Sequence, residues 1–286
     1  MFLPRPTGLP PWCRDGTIAG TATPVARLGH HTGNFLIGGL ADGKGTITEF
    51  LLVRLQIALF LSTLDLTSGL DLASAIRDIS GRVLDGDPLI LPVPGDAPQE
   101  VPRVIQVSRD ERRTCQVAGN RLDIVFQLPS DTGGSADFQG IARQHAQVSS
   151  AIWQVLQSRF KASGYRIGIV STFRATAEEA ARTLRQRFLI PSNAPEPHEL
   201  QLHVLHTLTL QGVMVNRWAR CLAMPSRSPG LGSGVIQLDI DINTLADHPL
   251  DVTSSGIIGF IENGIHLVLS TRDSLFSQSE SVERVF

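Results

Sequence analysis

Val235-Ile236-Gln237-Leu238-Asp239-Ile240-Asp241-Ile242 alternates without a break. Ile236, Leu238, Ile240 and Ile242 fall on one side of an extended chain and Gln237, Asp239 and Asp241 on the other, because successive strand side chains point to opposite faces. One side therefore faces a core. The other is either the wet face of an antiparallel sheet or the beginning of an acidic site.

The same pattern can be followed outward along the chain. In Leu51 to Leu61, Leu55, Ile57, Leu59 and Leu61 alternate with Arg54, Gln56 and Ala58, which favours a strand, although Phe60 breaks the pattern and keeps a buried helix open as the alternative. Ser68 stands where a helix cap belongs, ahead of the stripe Leu72, Ile76, Ile79 and Val83, and Gly86 is the expected stop. The proline-rich stretch Pro88 to Pro102 must be extended. It leads into a meander of Arg103 to Ser108, Thr114 to Ala118 and Arg121 to Leu128, with Gly119-Asn120 as a tight reversal. A helix is expected from about Ile141 to Lys161 and a short strand from Tyr165 to Phe173. Thr176-Ala177-Glu178-Glu179 then spells a capping box for a helix that buries Ala180, Leu184 and Phe188 and stops before Pro191.

Glu199 to Leu210 and Val213 to Met224 read as strands joined at Gly212, and the loop Pro225 to Gly234 turns the chain into the opening strand. Thr253 to Leu269 places Ile257, Ile261, Ile265 and Val268 at helical spacing. Gly256, Gly259 and Gly264 each oppose a helix there by about 1 kcal/mol, which keeps a strand open as the alternative. The order predicts an α+β protein, an antiparallel twisted sheet with helices packed on one face. Two related halves, residues 49–130 and 140–277, are suggested by the order alone. Residues 1–48, rich in Pro, Gly and Thr, are expected to form an irregular arm, and residues 278–286 a tail.

At 286 residues, with 42% hydrophobic and 18% charged side chains, the chain can bury a core and is not of disordered composition. Its net charge of -2 gives no global field towards a phosphate backbone or an anionic membrane, so nucleic acid is not indicated. Cys13, Cys115 and Cys221 are widely spaced with no C-x-x-C pair, which fits a reducing cytosol and argues against a disulfide framework or a zinc site. The first residues lack the basic segment and apolar run of a secretory signal, and the greasy stretch Phe50 to Leu61 falls far short of the ~20 residues that cross a bilayer. A soluble cytoplasmic protein with no membrane association is the expectation.

Asp239 and Asp241 come first among the residues where chemistry could sit. Carboxylates at i and i+2 on a strand point the same way about 7 Å apart, a spacing from which both can grip Mg²⁺ or Mn²⁺ against a phosphate. Such a site calls for a third acid, for which Asp123, Asp247 and Asp251 are available, and a basic clamp, for which Arg217 and Arg220 are. Gly264-Ile265-His266 adds His266 if it is read as the glycine-histidine strand of primase-like polymerases. In a helix, His266 would instead pair with Glu262. The plainer reading of both aspartates is a solvated sheet face with Arg220 paired across strands.

His203 and His206 have opposite strand parity and cannot share a metal, and His198 and the pair His30-His31 carry no specific spacing. Asp131-Thr132-Gly133 lacks the flanking apolar residues of an aspartic protease and reads as a loop. Gly230 to Gly234 leads into a strand and so lacks the helix terminus of a phosphate loop. Cys115 alternates beside Val117 and reads as core. The chain has no G-x-S-x-G, Walker A, H-E-x-x-H or dinucleotide fingerprint.

Pro102-Arg103-Val104-Ile105, Ser108-Arg109-Asp110, Gly119-Asn120-Arg121-Leu122, Tyr165-Arg166-Ile167-Gly168, Leu238-Asp239-Ile240-Asp241 and Ser270-Thr271-Arg272-Asp273 follow one another in order. This series is similar to a sporadically distributed family of uncharacterised prokaryotic proteins, over about residues 50–277. The resemblance implies a prokaryotic cytosolic protein of patchy occurrence, as accessory, mobile-element or phage-defence genes are, and it implies no catalytic residue.

The expected function is non-enzymatic: a binding or regulatory protein that holds a protein or peptide partner on its sheet, without a cofactor. One alternative is metal-dependent phosphodiester or nucleotidyl transfer at Asp239 and Asp241, with Mg or Mn and His266 as a further candidate. A holding chaperone resembling SecB in its sheet-plus-helix layout is another.

Overall fold

In the computed structural model, which describes residues 47–276 except 65, 67, 93, 95, 130–133, 190–194, 196, 225–232 and 248–253, one continuous sheet organises the chain. Its nine strands run in the order β2-β3-β4-β5-β1-β6-β9-β8-β7, and every neighbouring pair is antiparallel. The strands are β1 (Leu51–Thr63), β2 (Leu89–Ile90), β3 (Val104–Val107), β4 (Arg113–Val117), β5 (Arg121–Gln127), β6 (Ser163–Glu178), β7 (Leu200–Leu210), β8 (Val213–Met224) and β9 (Ser233–Thr244). Four helices complete it: α1 (Gly69–Ile79), α2 (Phe138–Phe160), α3 (Ala180–Phe188) and α4 (Ser254–Phe276). The class is α+β, as expected. The arm of residues 1–48 lies outside the described residues up to residue 46, as does the tail.

Strand parity sorts the side chains into two layers. Leu55, Ile57 and Leu59 on β1, Leu122, Ile124 and Phe126 on β5, Ile167, Ile169 and Phe173 on β6, and Ile236, Leu238, Ile240 and Ile242 on β9 are all buried on one side. The helices lie on that side: Leu72 and Ile76 of α1, Ile152, Trp153 and Leu156 of α2, Leu184 of α3 and Ile257, Ile261 and Val268 of α4 fill the same core. No helix among the described residues covers the opposite side.

The order β-α-β-β-β-α occurs twice, with β2 as an extra piece: β1, α1, β3, β4, β5, α2, and then β6, α3, β7, β8, β9, α4. In each run the first strand pairs with the last, and the two first strands, β1 and β6, pair with each other at the middle of the sheet.

The structure corrects several local expectations. The strand expected to end at Phe173 runs on to Glu178, because β6 keeps its register with β9 as far as Glu178 opposite Ser233. Thr176 and Glu178 therefore lie in a strand, and the capping box does not form. α3 starts at Ala180, with Glu179 at φ 44° turning the chain. Long-range pairing has overridden a local signal. The first helix ends at Ile79, well before Gly86, with Gly81 and Arg82 at positive φ.

The apolar stretch with three glycines is helical. At Gly264 a β-carbon would collide with the Ile169 side chain, so this glycine lets α4 settle onto the sheet, and burial there outweighs its poor propensity.

Candidate functional site

The uncovered side of the sheet is where the two aspartates stand. Asp239 and Asp241 alternate with the fully buried Leu238, Ile240 and Ile242 and are themselves half-buried on the open face. Asp239 accepts hydrogen bonds from Thr172 Oγ1 on β6 (2.6 Å) and from Gln237 Nε2 (3.1 Å). Asp241 accepts one from Asn243 Nδ2 (2.9 Å).

The expected metal-site members do not gather around them. Asp123 shares the open face but lies on β5, with β1 and β6 between it and β9, a separation of about 14 Å at the usual strand spacing. Asp247 is exposed in the turn after β9, and Asp251 lies outside the described residues. His266 is exposed on α4, with the sheet between it and the aspartates. Arg220 stands opposite Asp239 in the register of β8 and β9, whereas Arg217 points to the helix side and donates to Thr271 Oγ1 (3.4 Å). Among the described residues no group of three or more His, Cys, Asp or Glu is placed to hold a metal ion.

What the register does assemble is a mixed row of arginines, rings and carboxylates. Phe60 of β1 lies between Arg121 of β5 and Arg166 of β6, its direct neighbours in the ladder. The two guanidinium carbons stand over the Phe60 ring at 4.9 Å and 4.8 Å from its centroid. Arg121 also donates from Nη2 to Asp123 Oδ1 (2.8 Å) and forms an ion pair with that carboxylate, and Arg166 donates to Thr244 O and Asn243 Oδ1 (both 2.9 Å). Both arginines are thus held from two sides, which fixes their planes before any ligand arrives.

Two relays run beside that row. Arg54 donates to Gln56 Oε1 (2.7 Å), and Gln56 donates to Asp123 Oδ1 (2.6 Å). Arg174 donates to Gln237 Oε1 (3.2 Å), and Gln237 passes its amide to Asp239. Arg220 lies over the Trp218 ring at 5.4 Å. Between these side chains, Ala58 and Gly168 face each other across β1 and β6, and their small size leaves a low stretch at the middle of the face.

Sequence reasoning found the aspartates because alternation within one strand reveals parity. It missed Phe60 with its two arginines, because which residues face each other across strands is decided by register.

Cys115, Cys221, His203 and His206 take places in the sheet. Cys115 is fully buried and desolvation pushes its thiol well above the ordinary value; burial pushes Cys221 up to about 12. Neither is poised as a nucleophile. His203 and His206 point to opposite sides of β7, as parity requires. Asp131-Thr132-Gly133, Cys13 and His30-His31 lie outside the described residues, as does the glycine loop up to residue 232. No helix among the described residues is long and apolar enough to cross a membrane. Neither the protein-family models nor the curated proteins contain a match to this chain.

Proposed function

We propose that this chain is a non-enzymatic binding protein of a prokaryotic accessory or defence system, acting in the cytosol, which holds an acidic segment of a protein partner on the open face of its sheet. The observation that carries the reading is the row Arg121, Phe60, Arg166: guanidinium groups stacked on a ring and braced by Asp123, Asn243 and Thr244. The guanidinium edges that Asp123, Asn243 and Thr244 do not take are held in fixed orientation and suit a carboxylate, and the ring beside them adds apolar area at little entropic cost.

A protein segment fits this surface better than a nucleic acid does. Two guanidinium groups already stand against the Phe60 ring, so little of it is left for a base to stack on. A holding chaperone would call for a broad apolar surface, which this polar face does not offer.

Trp218 stands on the face and gives the readout. Titration with a synthetic peptide alternating glutamate and leucine should change its fluorescence, while the lysine analogue and an oligothymidylate should bind at least tenfold more weakly. The double variant Arg121→Gln/Arg166→Gln should lose the acidic peptide. Tighter binding of the oligonucleotide, or equal binding by the variant, would refute the proposal.

A second reading, Mg- or Mn-dependent phosphodiester or nucleotidyl transfer at Asp239 and Asp241, rests on their shared face and on Arg220 opposite Asp239. It ranks second because both oxygens of Asp239 are engaged by Thr172 and Gln237, one oxygen of Asp241 is engaged by Asn243, and no third acid stands beside them among the described residues. Mn²⁺ should raise the melting temperature of the wild type but not of Asp239→Asn/Asp241→Asn if this reading holds.

A further inference from the structure

The two edges of the sheet are finished differently. On the β3 side, β2 pairs with Ile105 and Val104, Leu91 N–H donates to Arg103 O, and Gln99 O accepts from Gly119 N–H, so the proline-rich connector closes that edge. The opposite edge is β7, eleven residues long and in unbroken register with β8. No backbone hydrogen bond from any other described segment reaches it.

The hairpin determines which β7 groups are left over. Gln211 and Gly212, at φ 50° and 79°, form a two-residue turn closed by Leu210 opposite Val213. In such a hairpin the closing pair exchanges both hydrogen bonds. Counting back in steps of two, Leu208, His206, Val204, Leu202 and Leu200 bond to β8. Thr209, Thr207, Leu205, His203 and Gln201 then direct N–H and C=O away from the sheet.

β7 reads Leu-Gln-Leu-His-Val-Leu-His-Thr-Leu-Thr-Leu, with no Lys, Arg, Asp, Glu or Pro, and no bulge. These are the features by which natural edges prevent pairing, and all are missing.

We propose that β7 is the interface of a two-fold symmetric dimer, each β7 pairing antiparallel with the β7 of a second copy about an axis through Leu205. The sequence is self-complementary about that point. Leu200 meets Leu210, Leu202 meets Leu208 and Val204 meets His206 on the helix side, while Gln201 meets Thr209 and His203 meets Thr207 on the open side. No charge faces a like charge. The register also matches the free groups, since Leu205 would exchange both hydrogen bonds with its own copy and the pairs 203 with 207 and 201 with 209 would follow. Leu205, 45% exposed in one chain, would be covered at the axis, and the half-buried row Leu200, Leu202, Leu208 and Leu210 would gain the neighbours it lacks. An axis perpendicular to the sheet keeps both sets of helices on one side and both arginine-lined faces on the other. The dimer does not depend on what the open face binds.

Sedimentation velocity of the full chain tests this, together with hydrogen exchange of the β7 amides. The wild type should sediment at twice 31.0 kDa, and dilution to the monomer should speed exchange at residues 201, 203, 205, 207 and 209 but not at the intervening positions. Leu205→Lys sets two ammonium groups against each other and should weaken the dimer at least a hundredfold. Thr207→Pro removes an N–H that β8 does not use and should act likewise, with circular dichroism unchanged in both. Leu205→Thr should keep the dimer.

The proposal fails if the wild type remains at 31.0 kDa at high concentration, or if folded Leu205→Lys and Thr207→Pro stay dimeric. It also fails if the odd-numbered amides are protected in a monomer, which would assign the edge to a segment of the same chain or to an added peptide.

Discussion

Gly264 of α4 rests against the Ile169 side chain of β6 so closely that a β-carbon on the glycine would overlap Ile169 Cδ1. Ile169 is fully buried and cannot swing aside without disturbing its neighbours. Gly264→Ala should therefore destabilise the protein by about 1–3 kcal/mol although alanine favours a helix. Gly259 on the same helix faces only the Gln211 side chain, at 3.4 Å, so Gly259→Ala should be neutral or stabilising by up to about 1 kcal/mol. Urea unfolding of both variants checks the contrast, and similar effects at both positions would refute it.

His145 supplies a pH dependence. It is buried on α2, its Nε2–H donates to Ile124 O (2.8 Å), and desolvation lowers its pKa from 6.5 to about 4. The unfolded chain takes up this proton first as pH falls, so between pH 6.5 and 4 the unfolded state binds more protons and stability declines with falling pH. The full loss from this group is about 3 kcal/mol, complete below the folded pKa. His145→Gln keeps a donor without titrating, and its unfolding free energy should be flatter over this window by that amount.

The β7–β8 turn is strained at Gln211. A φ of 50° there and 79° at Gly212 is the geometry that Asn-Gly satisfies best. Gln211→Asn should raise stability by about 0.5–1 kcal/mol, whereas Gly212→Val should lower it by about 1–2 kcal/mol. Thermal melting at fixed protein concentration distinguishes the two.

Cys115 and Cys221 should be inert to a neutral-pH disulfide reagent in the folded protein, because both thiols are buried and their pKa values are raised. In a Cys13→Ser background, no thiol should react until denaturant is added, when two should appear. Fast labelling of either in the native state would contradict the burial.

The parity of β9 was decided by the sequence alone: apolar and polar residues alternate there, and a strand admits only one way of burying Ile236, Leu238, Ile240 and Ile242 together. The α+β class, most strands and the apolar stripes of α2 and α4 were legible for the same reason, since periodicity is a local property of the chain; of the α1 stripe only Leu72 and Ile76 are buried, Ile79 being exposed and Val83 beyond the helix.

Tertiary structure decided what local pattern cannot encode. Thr176-Ala177-Glu178-Glu179 satisfies every local criterion for a helix start, yet the ladder to β9 claims it, because interstrand hydrogen bonds and core burial together exceed the value of a cap. Gly264 looked like a helix breaker until Ile169 supplied its reason. Phe60 broke the alternation of its own strand, and only the registers of β5 and β6 against β1 brought Arg121 and Arg166 over its ring. Cross-strand neighbours are separated by tens of residues along the chain, so their meeting is fixed by sheet register and leaves no trace in any local window of sequence.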